Sequence, residues 1–163
     1  MRPIPTGGGY FDSFSILIDR KAAGSAGGAA NSGAWQDRDL NTVVQAASWC
    51  ALNAGTGEFT LSPGTYHIWA KAPANRVGRH QARLYNVTAA AMVAFGEGTS
   101  KCTGTATDVV TESEIDCIFT IAASATFKIQ HQVANSRAGD GWGWAANFGT
   151  NERYTVVEIG RVK

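Results

Sequence analysis

Apolar and polar residues alternate with a period of two along much of this chain, and that period predicts β-strands rather than helices. In Phe127-Lys128-Ile129-Gln130-His131-Gln132-Val133 the apolar side is clear and Lys128, Gln130 and Gln132 lie opposite, which sets His131 among core residues. Ile115, Cys117, Phe119 and Ile121 alternate with Asp116, Ile118, Thr120 and Ala122, giving one apolar face and one mixed face. A mixed second face predicts contact with another subunit. Strand-like runs are expected over 38–46, 57–61, 65–72, 79–87, 90–95, 101–105, 113–122, 126–134, 143–148 and 154–162, with turn residues between them. No stretch shows convincing helical periodicity, 43–52 coming nearest.

Between two of these runs, Ser62-Pro63-Gly64 fixes a turn by covalent geometry, since proline sets φ and glycine tolerates positive φ. Aromatic and β-branched residues on both sides favour a pleated surface, so the expectation is an antiparallel hairpin. Residues 1–33 differ in character. A Pro/Gly opening leads into Tyr10-Phe11-Asp12-Ser13-Phe14-Ser15-Ile16-Leu17-Ile18-Asp19, and a Gly/Ala/Ser stretch over 22–33 reads as a flexible linker. An apolar stretch between two flexible ones cannot form its own core. The expected organisation is a docking arm and linker over 1–33, with Tyr10, Phe11, Phe14, Ile16, Leu17 and Ile18 as contact residues, followed by one domain over 34–163. The alternative is an edge strand packed on the same domain.

Composition supports the all-β assignment: apolar residues are 44%, charged ones 17%, and 19 of 163 residues are Gly. A formal charge of +1 provides no field to draw in a polyanion, so nucleic acid is not an expected partner. Cys50, Cys102 and Cys117 form no CxxC pair and no metal-ligand spacing with His. A Cys102–Cys117 bridge and buried free thiols both remain open. Met1 to Gly9 lacks an apolar run of signal-peptide length, and no segment nears the ~18 apolar residues of a membrane span. Neither secretion by a cleaved signal nor membrane insertion is expected.

The turn residues and Arg79-His80-Gln81-Ala82-Arg83-Leu84-Tyr85-Asn86-Val87 resemble the central strands of a C1q/TNF-like jelly roll. More specifically, Trp35-Gln36-Asp37-Arg38-Asp39-Leu40-Asn41-Thr42, Pro63-Gly64-Thr65-Tyr66, Ala72-Pro73-Ala74, Arg79 to Asn86 and Ala145-Ala146-Asn147-Phe148-Gly149 resemble the C-terminal modules of bacteriophage tail fibres and related virion proteins. The resemblance covers 34–163. It implies an all-β, antiparallel jelly-roll β-sandwich that assembles as a homotrimer. It also implies a structural or adhesive role on the head or tail of a virion made in the host cytoplasm. Only about thirty residues precede the module, with neither heptads nor Gly-X-Y triplets of a fibre shaft. A capsid decoration protein, head spike or small tail component, docked on a capsid or tail protein, fits that length better.

Candidate chemistry is sparse. His67, His80 and His131 each read as structural histidines, Ser62 lies outside any GxSxG, and Gly139-Asp140-Gly141-Trp142-Gly143 lacks the Lys-Ser/Thr of a P-loop. Asp37 with Asp39, or Glu112 with Glu114 and Asp116, meets the carboxyl separation that glycoside hydrolysis requires, because same-face residues on a strand are ~7 Å apart. Solvated rim acids meet it equally well. No enzymatic activity, cofactor or metal is expected, and polysaccharide degradation is the lesser alternative. Trp142 and Trp144, flanked by glycines and near Asn147, are candidates for stacking on sugar rings of a host polysaccharide. Arg76 and Arg79 are candidates for an acidic glycan. The competing expectation places both rings in the core or at a trimer axis and the arginines in intersubunit salt bridges.

Overall fold

The computed structural model describes residues 10–100 and 109–163. Among these, twelve strands and no helix are found. They are β1 (Phe11–Lys21), β2 (Gln36–Asp37), β3 (Thr42–Gln45), β4 (Cys50–Asn53), β5 (Glu58–Leu61), β6 (Gly64–Asn75), β7 (Arg79–Asn86), β8 (Ala91–Phe95), β9 (Thr99–Ser100), β10 (Val110–Ile121), β11 (Ala125–Val133) and β12 (Glu152–Val162). A five-stranded sheet runs β10-β6-β12-β1-β3, and a seven-stranded sheet runs β4-β5-β11-β7-β8, with β2 added on β11 and β9 on β7. All neighbouring strands are antiparallel.

The two sheets face one another across an apolar core. Leu17, Tyr66, Ile68, Ile115, Val157 and Ile159 come from the five-stranded sheet; Phe59, Leu61, Leu84, Phe127 and Ile129 come from the other. Phe119 reaches across the gap to Phe127, ring centroids 5.3 Å apart. The alternation of Phe127, Ile129, His131 and Val133 places all four inside, as expected, and Ile118 on the mixed face of β10 stands exposed.

Three expectations are corrected. First, Ser62-Pro63-Gly64 does not close a hairpin: β5 pairs with β4 and β11, whereas β6 pairs with β10 and β12. Apolar residues on both sides of the turn, Phe59 and Leu61 before it and Tyr66 and Ile68 after it, face the same core from opposite sheets, so the turn is a corner between layers. It is pinned by the Tyr66 hydroxyl donating to Ser62 O (2.7 Å) and by Arg161 Nη2 donating to Pro63 O (2.9 Å).

Second, the arm and linker are part of the sandwich. β1 is flanked by β12 and β3, with Ile16 opposite Glu158 and Ile18 opposite Val156, and Leu17 and Ile18 are 1% and 4% exposed. It is an interior strand, neither an arm nor an edge. The Gly/Ala stretch after it is fixed by backbone bonds to the 137–143 segment, including Ala30 N to Arg137 O (2.9 Å), Arg137 N to Ala30 O (2.7 Å) and Gly27 N to Gly143 O (3.0 Å). Glycine at 27 answers a close approach, since a Cβ there would lie 2.6 Å from the Trp142 carbonyl carbon. No domain boundary therefore falls at 33/34; residues 1–9 of the expected arm lie outside the described residues.

Third, 143–148 is irregular loop, and of the run expected over 38–46 only Thr42–Gln45 is strand, with the buried Arg38 and Leu40 in the connection between β2 and β3. As expected, 43–52, the nearest approach to a helical pattern, holds no helix; strand residues of β3 and β4 fall there. The strand expected at 101–105 lies outside the described residues, as does Cys102 of the Cys102–Cys117 bridge, while Cys50 and Cys117 carry free, half-buried thiols.

Candidate functional site

At one end of the sandwich the core turns polar. Arg38 leaves β2 pointing inward and is 2% exposed. Its Nε donates to Thr155 Oγ1 on β12 (2.9 Å), Nη1 to Pro73 O on β6 (3.0 Å) and Nη2 to the Trp142 carbonyl (3.3 Å). The guanidinium lies 4.4 Å from the Trp142 ring centroid, and His131 is stacked with the same indole at 5.0 Å. Burial lowers the Arg38 pKa to about 9, against the opposing pull of Asp19 and Asp39, so it stays cationic at neutral pH.

A guanidinium only donates, and that fact sets the polarity of a hydrogen-bonded chain. Nη1 of Arg38 faces His131 Nδ1 (3.4 Å), which must accept; His131 Nε2 then donates to His80 Nδ1 (2.9 Å), and His80 Nε2 donates to Thr111 Oγ1 (2.6 Å). Both imidazoles are held neutral. Desolvation, reinforced by the Arg38 charge, lowers His80 to about 4 and His131 to about 2. Asn75, fully buried at the end of β6, has neither side-chain atom hydrogen-bonded. This cluster cements the fold; both histidines are spent on structural hydrogen bonds.

The outward face of the five-stranded sheet is the second region of interest. Phe11 lies against Gly160, where a Cβ would come within 2.5 Å of the ring, and stacks on His67 at 5.7 Å. Tyr10 and Phe14 meet Phe11 edge-on at 4.9 and 4.8 Å. Towards the β10 edge the surface turns ionic: His67 Nε2 to Asp116 Oδ1 is 2.5 Å, and Lys71 bridges Glu112 (3.0 Å) and Glu114 (3.3 Å). Tyr10, Phe14 and Ile118 remain 60%, 48% and 57% exposed.

The expected glycan residues do not converge as a set. Trp142 is buried with Arg38 over its ring and His131 stacked on it, so it offers no platform to a sugar; it fills the core, as the competing expectation had it. Trp144 is exposed, with Arg76 6.0 Å from its ring centroid, and Asn147 sits in the same loop with φ of 56°. The carboxylate of Glu152 holds that loop by accepting the backbone N–H groups of Gly24, Ala146 and Asn147, which also keep its pKa low. Arg79 lies apart, on β7. Of the docking-arm residues, Leu17 and Ile18 are interior, Phe11 and Ile16 are half-buried, and Tyr10 and Phe14 are exposed. The candidate acids are engaged: Asp37 accepts from Lys128 and Gln130 (both 2.8 Å), and Asp39 from Lys21 (2.9 Å). Among the described residues no three His, Cys, Asp or Glu side chains are grouped to hold a metal.

Sequence reasoning missed Arg38 and the pairing of His80 with His131. Arg38 stands between Asp37 and Asp39, a context that resembles a solvated charge run, and the only hint of its burial was its place two residues before the core residue Leu40.

No family model matches the chain, and no curated protein does. Solved structures do. The Eiger TNF of S. frugiperda aligns over 92% of this chain and 92% of its own, with a TM-score of 0.59 and 11% identity. The globular domain of the zebrafish complement 1qA protein aligns over 91% of this chain and 94% of its own, with a TM-score of 0.51 and 18% identity. At such identities the likeness concerns the fold, and in fold this chain is a C1q/TNF-like jelly roll.

Proposed function

We propose that this chain is a non-enzymatic virion structural protein, a capsid decoration, head spike or small tail-fibre component, that works as a homotrimer. The observation that carries the assembly is the exposed apolar surface on two separate sides of the five-stranded sheet, Phe14 on β1 and Ile118 on the β10 edge, with ion pairs between them. An arrangement that sets the β1 side of one copy against the β10 edge of the next buries both, and such head-to-tail contacts close into a ring. The C1q/TNF-like fold favours three copies. Support for the virion setting comes from the resemblance of 34–163 to tail-fibre tip modules. Particle attachment is assigned to the amino-terminal end, where Tyr10 stands exposed beside β1.

The test is the solution mass of the full-length chain by light scattering. A trimer is expected, and Phe14→Glu and Ile118→Glu, both exposed in one copy, are expected to give folded monomers; a monomeric parent protein overturns the assembly. Removing residues 1–9 is expected to leave the trimer intact while abolishing decoration of particles by imaging. Absence of the protein from purified particles overturns the virion setting. A second reading, an adhesin for host surface glycan, is favoured by one observation: Arg79 and Trp35 line one surface groove.

A further inference from the structure

Where β7, β9 and β11 end together, the seven-stranded sheet carries a groove of ≈ 530 Å³, lined chiefly by Trp35, Arg79, Gln81, Thr99, Ser100 and Gln132. No Asp or Glu is among the described residues that line it. Strand register assembles the lining: Gln81 pairs with Gln132 across β7 and β11, and Arg79 with Ser100 across β7 and β9. Gln81 Nε2 is spent on Gly96 O (2.8 Å), which leaves its Oε1 as an acceptor. Among the described residues, the Arg79 guanidinium and the Gln132 amide have no hydrogen-bond or ion-pair partner.

The aromatic wall is fixed before any ligand arrives. Arg83 packs on Trp35, 4.2 Å from the ring centroid, and is itself held by two bonds to Gln130 Oε1 (2.9 and 2.7 Å), while Gln130 donates to Asp37 (2.8 Å). A guanidinium anchored in this way occupies one face of the indole and leaves the other to a flat partner. Below the groove, His80 leads through His131 to the buried Arg38 cation. A guanidinium and an amide without partners among the described residues, an ordered indole and the Ser100 hydroxyl, with no carboxylate among the described lining residues, make a site that prefers a ring carrying hydroxyls and one negative charge.

We infer that this groove binds a carboxylated sugar unit of a surface polysaccharide, the ring on Trp35, the carboxylate on Arg79, and the hydroxyls on Gln132 and Ser100. The inference rests on the adhesin reading and moves the site from the Trp142/Trp144 loop to the seven-stranded sheet. Uronates and sialates share the recognised chemistry, and the probes separate them.

Full-length protein is titrated calorimetrically with an oligogalacturonate, with sialyllactose, with a neutral maltooligosaccharide and with a glutamate-rich peptide. One carboxylated sugar is expected to bind at least about tenfold more tightly than the neutral one. Arg79→Gln, an exposed substitution, is expected to weaken it by about tenfold or more, the scale of a charged hydrogen bond. Trp35→Ala is expected to weaken it too, and Arg79→Lys to recover part of the loss, with light scattering showing unchanged assembly. The inference is overturned if neither carboxylated sugar binds, if Arg79→Gln leaves binding unchanged, or if the peptide binds as tightly. Neutral-sugar binding insensitive to Arg79 overturns it while sparing the adhesin reading; no binding on a broad glycan array overturns both.

Discussion

The sandwich has two interiors that are equally buried and differently held. Around Phe59, Leu84, Phe127 and Ile159 only apolar groups meet, and cohesion there comes from area removed from water and from close packing, neither of which specifies direction. Where the end of β2 and strands β6, β7, β11 and β12 approach the 137–143 segment, the interior instead holds Arg38, His80, His131, Thr155 and Asn75. Cohesion in that region is directional, and each bond has few substitutes. The difference has a structural purpose. The segments 22–33 and 137–143 lie outside the main strands and bury chiefly Ala30 and Trp142, in a small cluster with Ala74, Val77 and Val133, and directional bonds from Arg38 to Trp142 and Pro73, and from Tyr154 to Ser25 O (2.7 Å), supplement that packing.

The sharpest break of this comparison is Arg38→Leu set beside Leu84→Met. The first change keeps bulk but strips hydrogen bonds from Thr155 Oγ1, Pro73 O and the Trp142 carbonyl at once. It is expected to lower unfolding free energy by about 3–5 kcal/mol in a denaturant titration. The second conserves volume in the apolar interior and is expected to cost less than about 1.5 kcal/mol. Equal losses would show that the two interiors are held alike.

Acidification is next in size. Both buried histidines have folded values below the ordinary 6.5, so as pH falls the unfolded chain takes up protons before the folded one does. Their stability contribution is full above about 6.5 and is lost progressively below it. The His80 part levels off near 4, where the folded ring itself protonates, and the His131 part continues towards 2. Each proton taken up only by the unfolded state steepens the loss by about 1.4 kcal/mol per pH unit. Urea midpoints measured from pH 7 to 4 are expected to fall in the parent protein and to fall less in His80→Leu. A parallel decline in both would remove the histidine pair from the explanation.

The apolar interior was legible in the sequence and the polar one was not, for a physical reason. A period of two records which side of a strand meets a core, so the Phe127-to-Val133 and Ile115-to-Ile121 faces were assigned correctly. It does not record which sheet a strand joins. The Ser62-Pro63-Gly64 corner shows this, because a layer crossing and a hairpin share the same turn chemistry. Nor does it distinguish glycines that loosen a chain from glycines that admit close packing, which is how Ala22 to Gly33 passed for a linker. The groove at Trp35 and Arg79 depends on the register of three strands distant in sequence, and of its lining residues only Arg79 stands out in the sequence as a candidate.

The smallest expected effect concerns Asn75, and its sign is opposite to the others. Its side chain lies fully buried in the polar interior, yet neither Nδ2 nor Oδ1 is hydrogen-bonded, while its backbone N–H donates to Gly141 O (2.9 Å). The desolvation of the amide is thus uncompensated. Asn75→Leu keeps similar volume and the backbone bond, removes the unpaired amide, and is expected to raise stability by about 1 kcal/mol, seen as a higher denaturant midpoint with unchanged slope. If the substitution instead costs stability, the amide has a partner that matters, such as a buried water, and the polar interior extends one residue further along β6 than the bonds of Arg38 define.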